Sequence, residues 1–207
     1  AEWSLLATLE HPHIVRMHEC FQEPDALYIV LELCQGGELF ERLHATTQGG
    51  GAGGFGEPLA QLLFGQMLRA VGYLHRRLVV HRDLKTENFL LVGRQGTEEG
   101  DTLKLCDFGS AAQLRTGAQR CMDLRGTLSY TAPEVYRSCG ASVASDLWSL
   151  GVVLYLLLTA TNPFNGAGQG VGRDETIRLI TEGRFNREYL AWRGLSAGAR
   201  DLVDRLL

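Results

Sequence analysis

The sequence predicts an α+β fold, in which a few short strands are followed by a mostly helical second half. Runs rich in Val, Ile, Leu and Tyr over residues 14–17 and 27–33 have the composition and length of strands. From residue 57 onward, apolar residues recur mainly at helical spacing. With 207 residues, of which 45% are hydrophobic, the chain is long enough to bury one sizeable core.

The first quarter of the chain combines a short helix with these two strands. Leucines at helical spacing predict a helix over residues 2–9, which ends near Pro12 because the residue before a proline disfavours helical backbone. Residues 48–56 read QGGGAGGFG, a low-complexity stretch that predicts a flexible insert.

A long helix and three short strands are predicted for the middle of the chain. Glu57-Pro58 opens the helix, since proline suits a first helical turn. Strands are predicted over residues 79–80, 89–92 and 103–106, and a polar turn over 93–102. The polar segments beside these strands are candidates for a functional site.

The last third is predicted to be helical after a long loop. The apolar run over residues 147–158 is too short to span a bilayer, so a buried core helix is expected there. The helices are expected to begin near Asp146, at Glu175 after Asp174 as N-cap, and at Ala197 after Ser196 as N-cap.

Charge and cysteine content exclude several classes of protein. The formal net charge is −4, and no cluster of Lys and Arg offers a phosphate-binding surface, which argues against nucleic acid as the main partner. Five cysteines without a C-x-x-C pair, and no signal peptide, are typical of a reducing compartment, so a cytoplasmic location is expected. The first residue is Ala1 and not methionine, which favours a fragment.

Three polar clusters lie at strand ends and in loops: HRDLKTEN over residues 81–88, DFG over 107–109 and TAPE over 131–134. Phosphoryl transfer needs a carboxylate near the attacking hydroxyl, a positive charge on the moving phosphoryl group and hard oxygen ligands for Mg²⁺. One short span holds this inventory: Asp83, Lys85, Asn88 and Asp107.

These clusters closely resemble the motifs of the protein kinase family, H-R-D-L-K-x-x-N, D-F-G and A-P-E, in the family's order. Residues 146–151 are similar to the family's D-x-W-S-x-G helix. The resemblance covers essentially the whole chain and implies the two-lobed kinase fold. Residues 1–33 would form a partial N-lobe with helix C and strands 4–5, and residues 34–207 the mostly helical C-lobe.

The resemblance assigns the catalytic roles. Asp83 would be the catalytic base, and Lys85, which resembles the Ser/Thr kinases at this position, would neutralise the γ-phosphate of ATP. Asn88 and Asp107 would hold Mg²⁺. The alternative for these residues is a solvated loop with salt bridges. Glu2 stands ten residues before a proline, as the helix-C glutamate does, and would otherwise be a plain exposed helix residue.

The resemblance also places the adenine of ATP. Backbone groups from Glu32 to Cys34 would form the hinge, with Leu31 as the gatekeeper. Leu90 would be the floor under the adenine, and Cys106 would lie at its edge. For both cysteines, simple packing is the alternative, and thiol chemistry is not expected.

A subgroup is indicated by LEHPHIV over residues 9–15 and GGELF over 36–40, which look like the calcium/calmodulin-dependent group. The likeness is strongest to the calcium-dependent protein kinases of plants and protists, which carry calcium-binding EF-hands after the kinase domain. No EF-hand loop is present in this sequence. A calcium-sensing regulatory segment would therefore lie outside this chain.

Protein substrates are expected to carry an Arg three residues before the accepting Ser or Thr. Glu38 would bind that Arg, and Glu87 would share it, since carboxylate–guanidinium pairs are charge-assisted. Leu124 and Leu128 would form an apolar pocket for the residue after the acceptor.

Activation is expected to need no phosphate on the loop before the A-P-E motif. Asp123 stands where relatives place a phosphorylated Thr, and Arg82 would pair with it. Thr127 would be structural, with its hydroxyl reaching Asp83 and Lys85. The alternative for Asp123 is an exposed loop acid.

Two other functions compete with that of an active Ser/Thr kinase. One is a non-catalytic kinase-fold scaffold or a truncated, inactive kinase. The other is a small-molecule phosphotransferase, which Pro133-Glu134 argues against. The Gly-rich phosphate loop and the upstream strand lysine are not found in these residues, so negligible transfer is expected from residues 1–207 alone. Apolar surface is expected to be exposed at Leu5, at Leu6 and over 27–33.

Overall fold

The computed structural model describes residues 2–48, 53–164 and 171–207, without the side chains of residues 2 and 3. All strands of the described residues lie before residue 114, and the regular elements after it are helices, in agreement with the α+β prediction. In chain order the elements are α1 (Glu2–Leu6), β1 (Met17–Gln22), β2 (Leu27–Leu31), β3 (Gly37–Glu38), α2 (Leu39–Gln48), α3 (Glu57–Arg76), β4 (Val79–Val80), β5 (Phe89–Leu91), β6 (Leu103–Leu105), β7 (Ala112–Gln113), α4 (Pro133–Tyr136), α5 (Val143–Thr159), α6 (Arg173–Thr181), α7 (Leu190–Arg193) and α8 (Ala197–Leu206). Two 3₁₀ turns, Thr86–Asn88 and Leu128–Tyr130, lie among them.

The strands form three small antiparallel sheets. β1 pairs with β2, and β4 pairs with β7. The sheet that matters most for the candidate site has the order β3-β5-β6, with Leu90 between Glu38 on one side and Lys104 on the other. This sheet joins three of the predicted site segments within a few ångströms of one another.

α5 is the central helix of the core. Ser142 and Ser145 form a capping box at its start, which satisfies amide donors that a helix leaves free. Most of its residues are buried, which accounts for its continuous apolar run. It packs against α3 and α8. Among the described residues, no helix has the length and apolar character needed to cross a bilayer.

Several predicted boundaries are wrong, each for a local reason. The strand expected over residues 14–17 begins only at Met17 and continues as β1 to Gln22, and Ile14, which is buried, makes only a bridge to Leu105. α1 ends at Leu6 and not at residue 9, and Leu6, expected at the surface, is buried. These residues pack into the core by single contacts, which hydrophobic patterning cannot distinguish from a regular element.

The helix starts give a mixed result. α6 begins at Arg173 without a side-chain cap, so the prediction of Asp174 as N-cap is wrong. Asp174 lies in the first turn, where a carboxylate is favoured by the helix dipole. The prediction of Ser196 is confirmed, since its hydroxyl accepts a hydrogen bond from the backbone amide of Ala199 at 3.2 Å.

Candidate active site

The loop over residues 81–88 is held by a buried carboxylate on α5. Asp146 is 1% exposed, and its Oδ1 accepts a hydrogen bond from the Arg82 amide at 2.9 Å. Its Oδ2 accepts from the His81 amide at 3.0 Å and lies 2.8 Å from Nε2 of His75 on α3. The core helices thereby fix the backbone that presents the polar cluster.

Two residues of the cluster have the left-handed backbone that non-glycine residues rarely adopt. Arg82 has a φ of 68° and Asp107 a φ of 56°. Such conformations cost free energy and persist only where neighbouring contacts impose them, as Asp146 does for Arg82. Strain of this kind is concentrated at functional sites.

His81 is a packing residue. Its side chain is fully buried, and its ring meets that of Phe108 edge-on at a centroid distance of 5.1 Å. Burial lowers its pKa, against the opposing effect of Asp146, so the ring is neutral near pH 7. Its Nε2 lies 3.2 Å from the carbonyl oxygen of Cys106. An imidazole that is fully enclosed cannot be reached by an external hydroxyl and therefore cannot serve as its base.

Asp83, Lys85 and Thr127 form a hydrogen-bonded group at the mouth of the loop. The Lys85 ammonium lies 3.0 Å from Oδ2 of Asp83. The Thr127 hydroxyl donates to Oδ1 of Asp83 at 2.9 Å and accepts from Lys85 at 3.3 Å, which are the two contacts expected of it. Partial burial works to lower the pKa of Lys85, but the hydrogen bond and charge of Asp83 outweigh it and raise that pKa. The lysine is therefore a fixed positive charge.

Asn88 and Asp107 are brought together by adjacent strands. The Cys106 amide donates to the carbonyl of Asn88 at 2.9 Å, which places Asp107 directly after that contact. The Asn88 side-chain amide donates to the Asp83 carbonyl at 2.8 Å, and the Gly109 amide donates to Oδ1 of Asp107 at 3.1 Å. These hydrogen bonds use the side-chain nitrogen of Asn88 and Oδ1 of Asp107, and they orient the two side chains. The side-chain oxygen of Asn88 and Oδ2 of Asp107 can then bind a ligand.

The donor set of this pair fits Mg²⁺. Within residues 2–48, 53–164 and 171–207, no three His, Cys, Asp or Glu side chains lie close enough to hold a metal ion by themselves. Mg²⁺ does not need such a cage, since it is commonly bound by one or two protein oxygens, water and the phosphates of its substrate. Asn88 and Asp107 can supply those protein oxygens.

Asp123 lies between two arginines in the loop that follows the second cluster. Arg82 donates from Nη1 to Oδ1 of Asp123 at 2.5 Å, and from Nε to the carbonyl of Ser110 at 2.5 Å. Arg125 donates from Nε to Oδ2 of Asp123 at 2.9 Å. The hydrogen bond from Arg125, and then that from Arg82, hold the pKa of Asp123 below its ordinary value. A cleft of 540 Å³ borders this group and includes both arginines in its lining.

Arg125 was missed by the sequence reasoning. Its signal is its position two residues after Asp123, since side chains at that spacing share a side of an extended chain. The other missed residue is His75, which reaches Asp146 from α3 across 71 positions of the chain. No local sequence pattern indicates a contact between residues so far apart in the chain.

The residues expected to meet adenine lie in neighbouring elements. Leu31 ends β2, and Glu32 and Cys34 follow it directly. Leu90 is central in β5, and Cys106 follows β6. Burial raises the pKa of the Cys34 thiol and raises that of Cys106 to about 12.

The residues expected to bind the substrate are at or near the surface. Glu38 is in β3 and Glu87 in the 3₁₀ turn Thr86–Asn88, and these two elements pack against each other. Leu124 is 62% exposed, and Leu128 is half-buried at the start of the second 3₁₀ turn. The backbone of Glu2 opens α1, but its side chain lies outside the described part of the chain.

Comparison with known proteins gives one consistent result. The family profile described as "Protein kinase domain" matches residues 1–207. The chain is 34% identical to the serine/threonine-protein kinase DCLK3 of Homo sapiens, over all of this chain and 30% of the relative. It is 39% identical to the calcium/calmodulin-dependent protein kinase cmkA of Emericella nidulans, over all of this chain and 47% of the relative. It is 32% identical to calcium-dependent protein kinase 3 of Plasmodium berghei, over all of this chain and 35% of the relative.

The chain thus spans between about a third and a half of the length of these three relatives. A profile match over every residue, relatives above 30% identity and the geometry of the 81–88 loop agree. The chain belongs to the protein kinase family and is similar to Ser/Thr kinases of the calcium- and calmodulin-dependent type.

Proposed function

We propose that the protein transfers the γ-phosphate of ATP, with Mg²⁺, to Ser or Thr hydroxyls of protein substrates. The nucleotide would lie between the segments 1–33 and 34–207. The observation that carries this proposal is the hydrogen-bonded group of Asp83, Lys85 and Thr127, beside the two oxygen ligands Asn88 and Asp107. The side chains of Lys85 and Asp83 are only 21% and 13% exposed, which favours this function over a solvated loop with salt bridges.

The residues of this site suit the charges of the reaction. MgATP, when bound, supplies the phosphoryl group that is transferred. Asp83 can accept a hydrogen bond from the acceptor hydroxyl and orient it. The ammonium group of Lys85 remains charged next to it and can offset negative charge on the moving group. Asn88 and Asp107 offer the hard oxygens that Mg²⁺ prefers.

The direct test is phosphoryl transfer from radiolabelled ATP to a basic peptide library by the full-length protein. Asp83→Asn should lower kcat by roughly 10²–10⁴-fold, because it removes the base and keeps the shape of the side chain. Asp204→Asn is the matched control, since Asp204 pairs with Arg187 at the surface and should leave kcat unchanged. Equal activity of wild type and Asp83→Asn would refute the role of Asp83, and a wild type that transfers no phosphate would favour the non-catalytic scaffold instead.

Control by calcium is part of this proposal and is supported by the names of two relatives. A calcium-sensing segment or subunit outside residues 1–207 would regulate the enzyme. The transfer rate of the full-length protein should rise when calcium replaces a chelator in the assay. A rate indifferent to calcium and calmodulin would overturn this part alone.

A further inference from the structure

The carboxylate of Glu32 is a junction between three segments. Its Oε1 lies 2.7 Å from the Lys104 ammonium and accepts a hydrogen bond from the Arg16 amide at 2.6 Å. The Glu32 amide in turn donates to the Arg16 carbonyl at 2.9 Å. The side chains are 15% exposed for Lys104 and 23% for Glu32, so water screens this pair less than a surface pair.

Glu32 and Lys104 belong to two walls of the proposed nucleotide site. The adenine wall is the segment 32–34, and the other wall is β6, which precedes Asp107. Glu32 starts the segment expected to meet adenine. Lys104 is in β6, where it is paired with Leu90 and stands three residues before Asp107. The pair therefore spans from the adenine wall to the strand that delivers a metal ligand.

The segment between the walls is anchored on both sides. Val15 donates its amide to the Leu105 carbonyl at 2.9 Å, and Leu105 donates to the His13 carbonyl at 2.9 Å. Arg16, the next residue, is the one that Glu32 holds. Glu32, residues 13–16 and β6 thus form one continuous connection, and Lys104 closes it with a direct contact.

Among the described ionisable groups around this pair, Lys104 is the one that carries the positive charge opposite Glu32. Burial lowers the pKa of both His11 and His13, with Lys104 as a further cause, so both rings are neutral near pH 7. Burial also raises the pKa of the Cys34 thiol, which stays protonated beside Glu32. Among the described side chains, Lys104 is the only cationic group within ion-pair distance of Glu32.

We infer that Lys104 and Glu32 are positioning residues for the nucleotide, which hold the adenine wall at a fixed distance from the strand that carries Asp107. Neither side chain needs to touch the phosphates for this role. The inference rests on the proposed function, because it gives a task to the site where ATP would bind. Nothing in the motifs of the sequence assigns Lys104.

The test measures nucleotide affinity separately from turnover in the full-length protein. Lys104→Met should raise both the KM for ATP and the Kd for MgADP by about 5- to 20-fold, with kcat changed by less than about twofold. Lys104→Arg keeps the cation and should stay within about twofold of wild type. Calorimetric titration with MgADP gives the Kd without any need for turnover.

A double-mutant cycle identifies the partner. Glu32→Gln should raise the Kd by a similar factor, and Lys104→Met with Glu32→Gln should be no worse than Lys104→Met alone, because the two changes remove the same contact. Arg205→Met is the matched control, since Arg205 pairs with Asp201 on the exposed face of α8 and should leave Kd and KM unchanged.

The outcomes separate this inference from the proposed function. A wild type that binds MgADP but transfers no phosphate would refute the proposed function, while the Kd of Lys104→Met still decides the inference. An unchanged Kd for Lys104→Met would overturn the inference. A lower melting temperature and lower kcat with no change in Kd or KM, and no rescue by Lys104→Arg, would show a structural role only and would equally overturn it.

Discussion

At the scale of single residues, Asp123 carries a fixed negative charge between two guanidinium groups. We propose that this carboxylate orders its loop without phosphorylation, because Arg82 and Arg125 each donate to a different oxygen of it. Asp123→Asn removes the charge but keeps one side-chain oxygen as an acceptor, so it should lower kcat by about tenfold, the loss expected for one charge-assisted hydrogen bond. Treatment of the full-length enzyme with phosphatase should leave its kcat unchanged.

Loss of activity after phosphatase, together with normal activity of Asp123→Asn, would contradict this view.

The pH dependence gives a second check on the role of Asp123. A carboxyl group with a lowered pKa in the folded state stabilises that state above its ordinary pKa, and the contribution disappears as the pH falls through the lowered value. Order in this loop should therefore be constant from about pH 6 to 8 and decline only in strong acid.

We propose that Glu38 and Glu87 give the enzyme a preference for basic substrates, because the elements that carry them pack together. On an array of peptides, the full-length enzyme should favour Arg three residues before the acceptor. Glu38→Ala should reduce that preference by about tenfold, as expected for the loss of one charge-assisted pair. Glu41→Ala, one turn along on α2, serves as the control. An array without any preference at this position would sink the assignment.

At the scale of elements, the contact that fixes the catalytic loop comes from α5. Asp146→Asn can keep the hydrogen bond from the Arg82 amide at Oδ1, but it turns an NH₂ group toward the His81 amide and His75. Since this leaves buried donors facing each other, it should cost about 3 kcal/mol of folding free energy. Urea unfolding of Asp146→Asn against Asp204→Asn measures this, and equal midpoints would disprove it.

The elements also show where patterning succeeds and where it fails. The long α3 was predictable because its apolar positions repeat at helical spacing over several turns, and α5 because its continuous apolar run has the length of a buried helix. The predicted strand started at Ile14 because Ile14 and Val15 are apolar, but these two residues are buried by contacts to β6, and the strand begins only at Met17. A short apolar run indicates that its residues are buried, but it does not show whether their backbone is a strand, a helix or irregular.

At the scale of the whole molecule, the β1–β2 sheet presents apolar side chains to the surface. Every residue of β2 is exposed, and Leu33 just beyond it is 78% exposed. Exposed apolar strands with free edges favour self-association. A polypeptide of residues 1–207 should therefore bind a hydrophobic dye and associate with rising concentration, and Val30→Lys should reduce both. Leu190→Lys, on an exposed leucine of α7, is the control. A dye-silent monomer would show this expectation to be wrong.

The motif residues of the candidate site were easier to predict from the sequence than the residues that orient them. Asp83, Lys85, Asn88 and Asp107 lie within 25 positions and follow a motif, so their types and spacing are readable from the chain. His75 and Lys104 have no motif, because each acts through a contact to a residue far away in the chain, and Arg125 is indicated only by its spacing from Asp123. Patterns reveal residues that chemistry requires, whereas the residues that orient them depend on tertiary geometry.

The two thiols beside the proposed nucleotide site have a consequence for reactivity under oxidative stress. Only the thiolate reacts readily with peroxides and alkylating agents. With the pKa of Cys106 raised to about 12, roughly one side chain in 10⁴–10⁵ is ionised near neutral pH. The Cys106 thiol is thus suited to packing and not to thiolate chemistry, and an electrophilic inhibitor aimed at this cysteine would label it slowly, however well the rest of the compound fits.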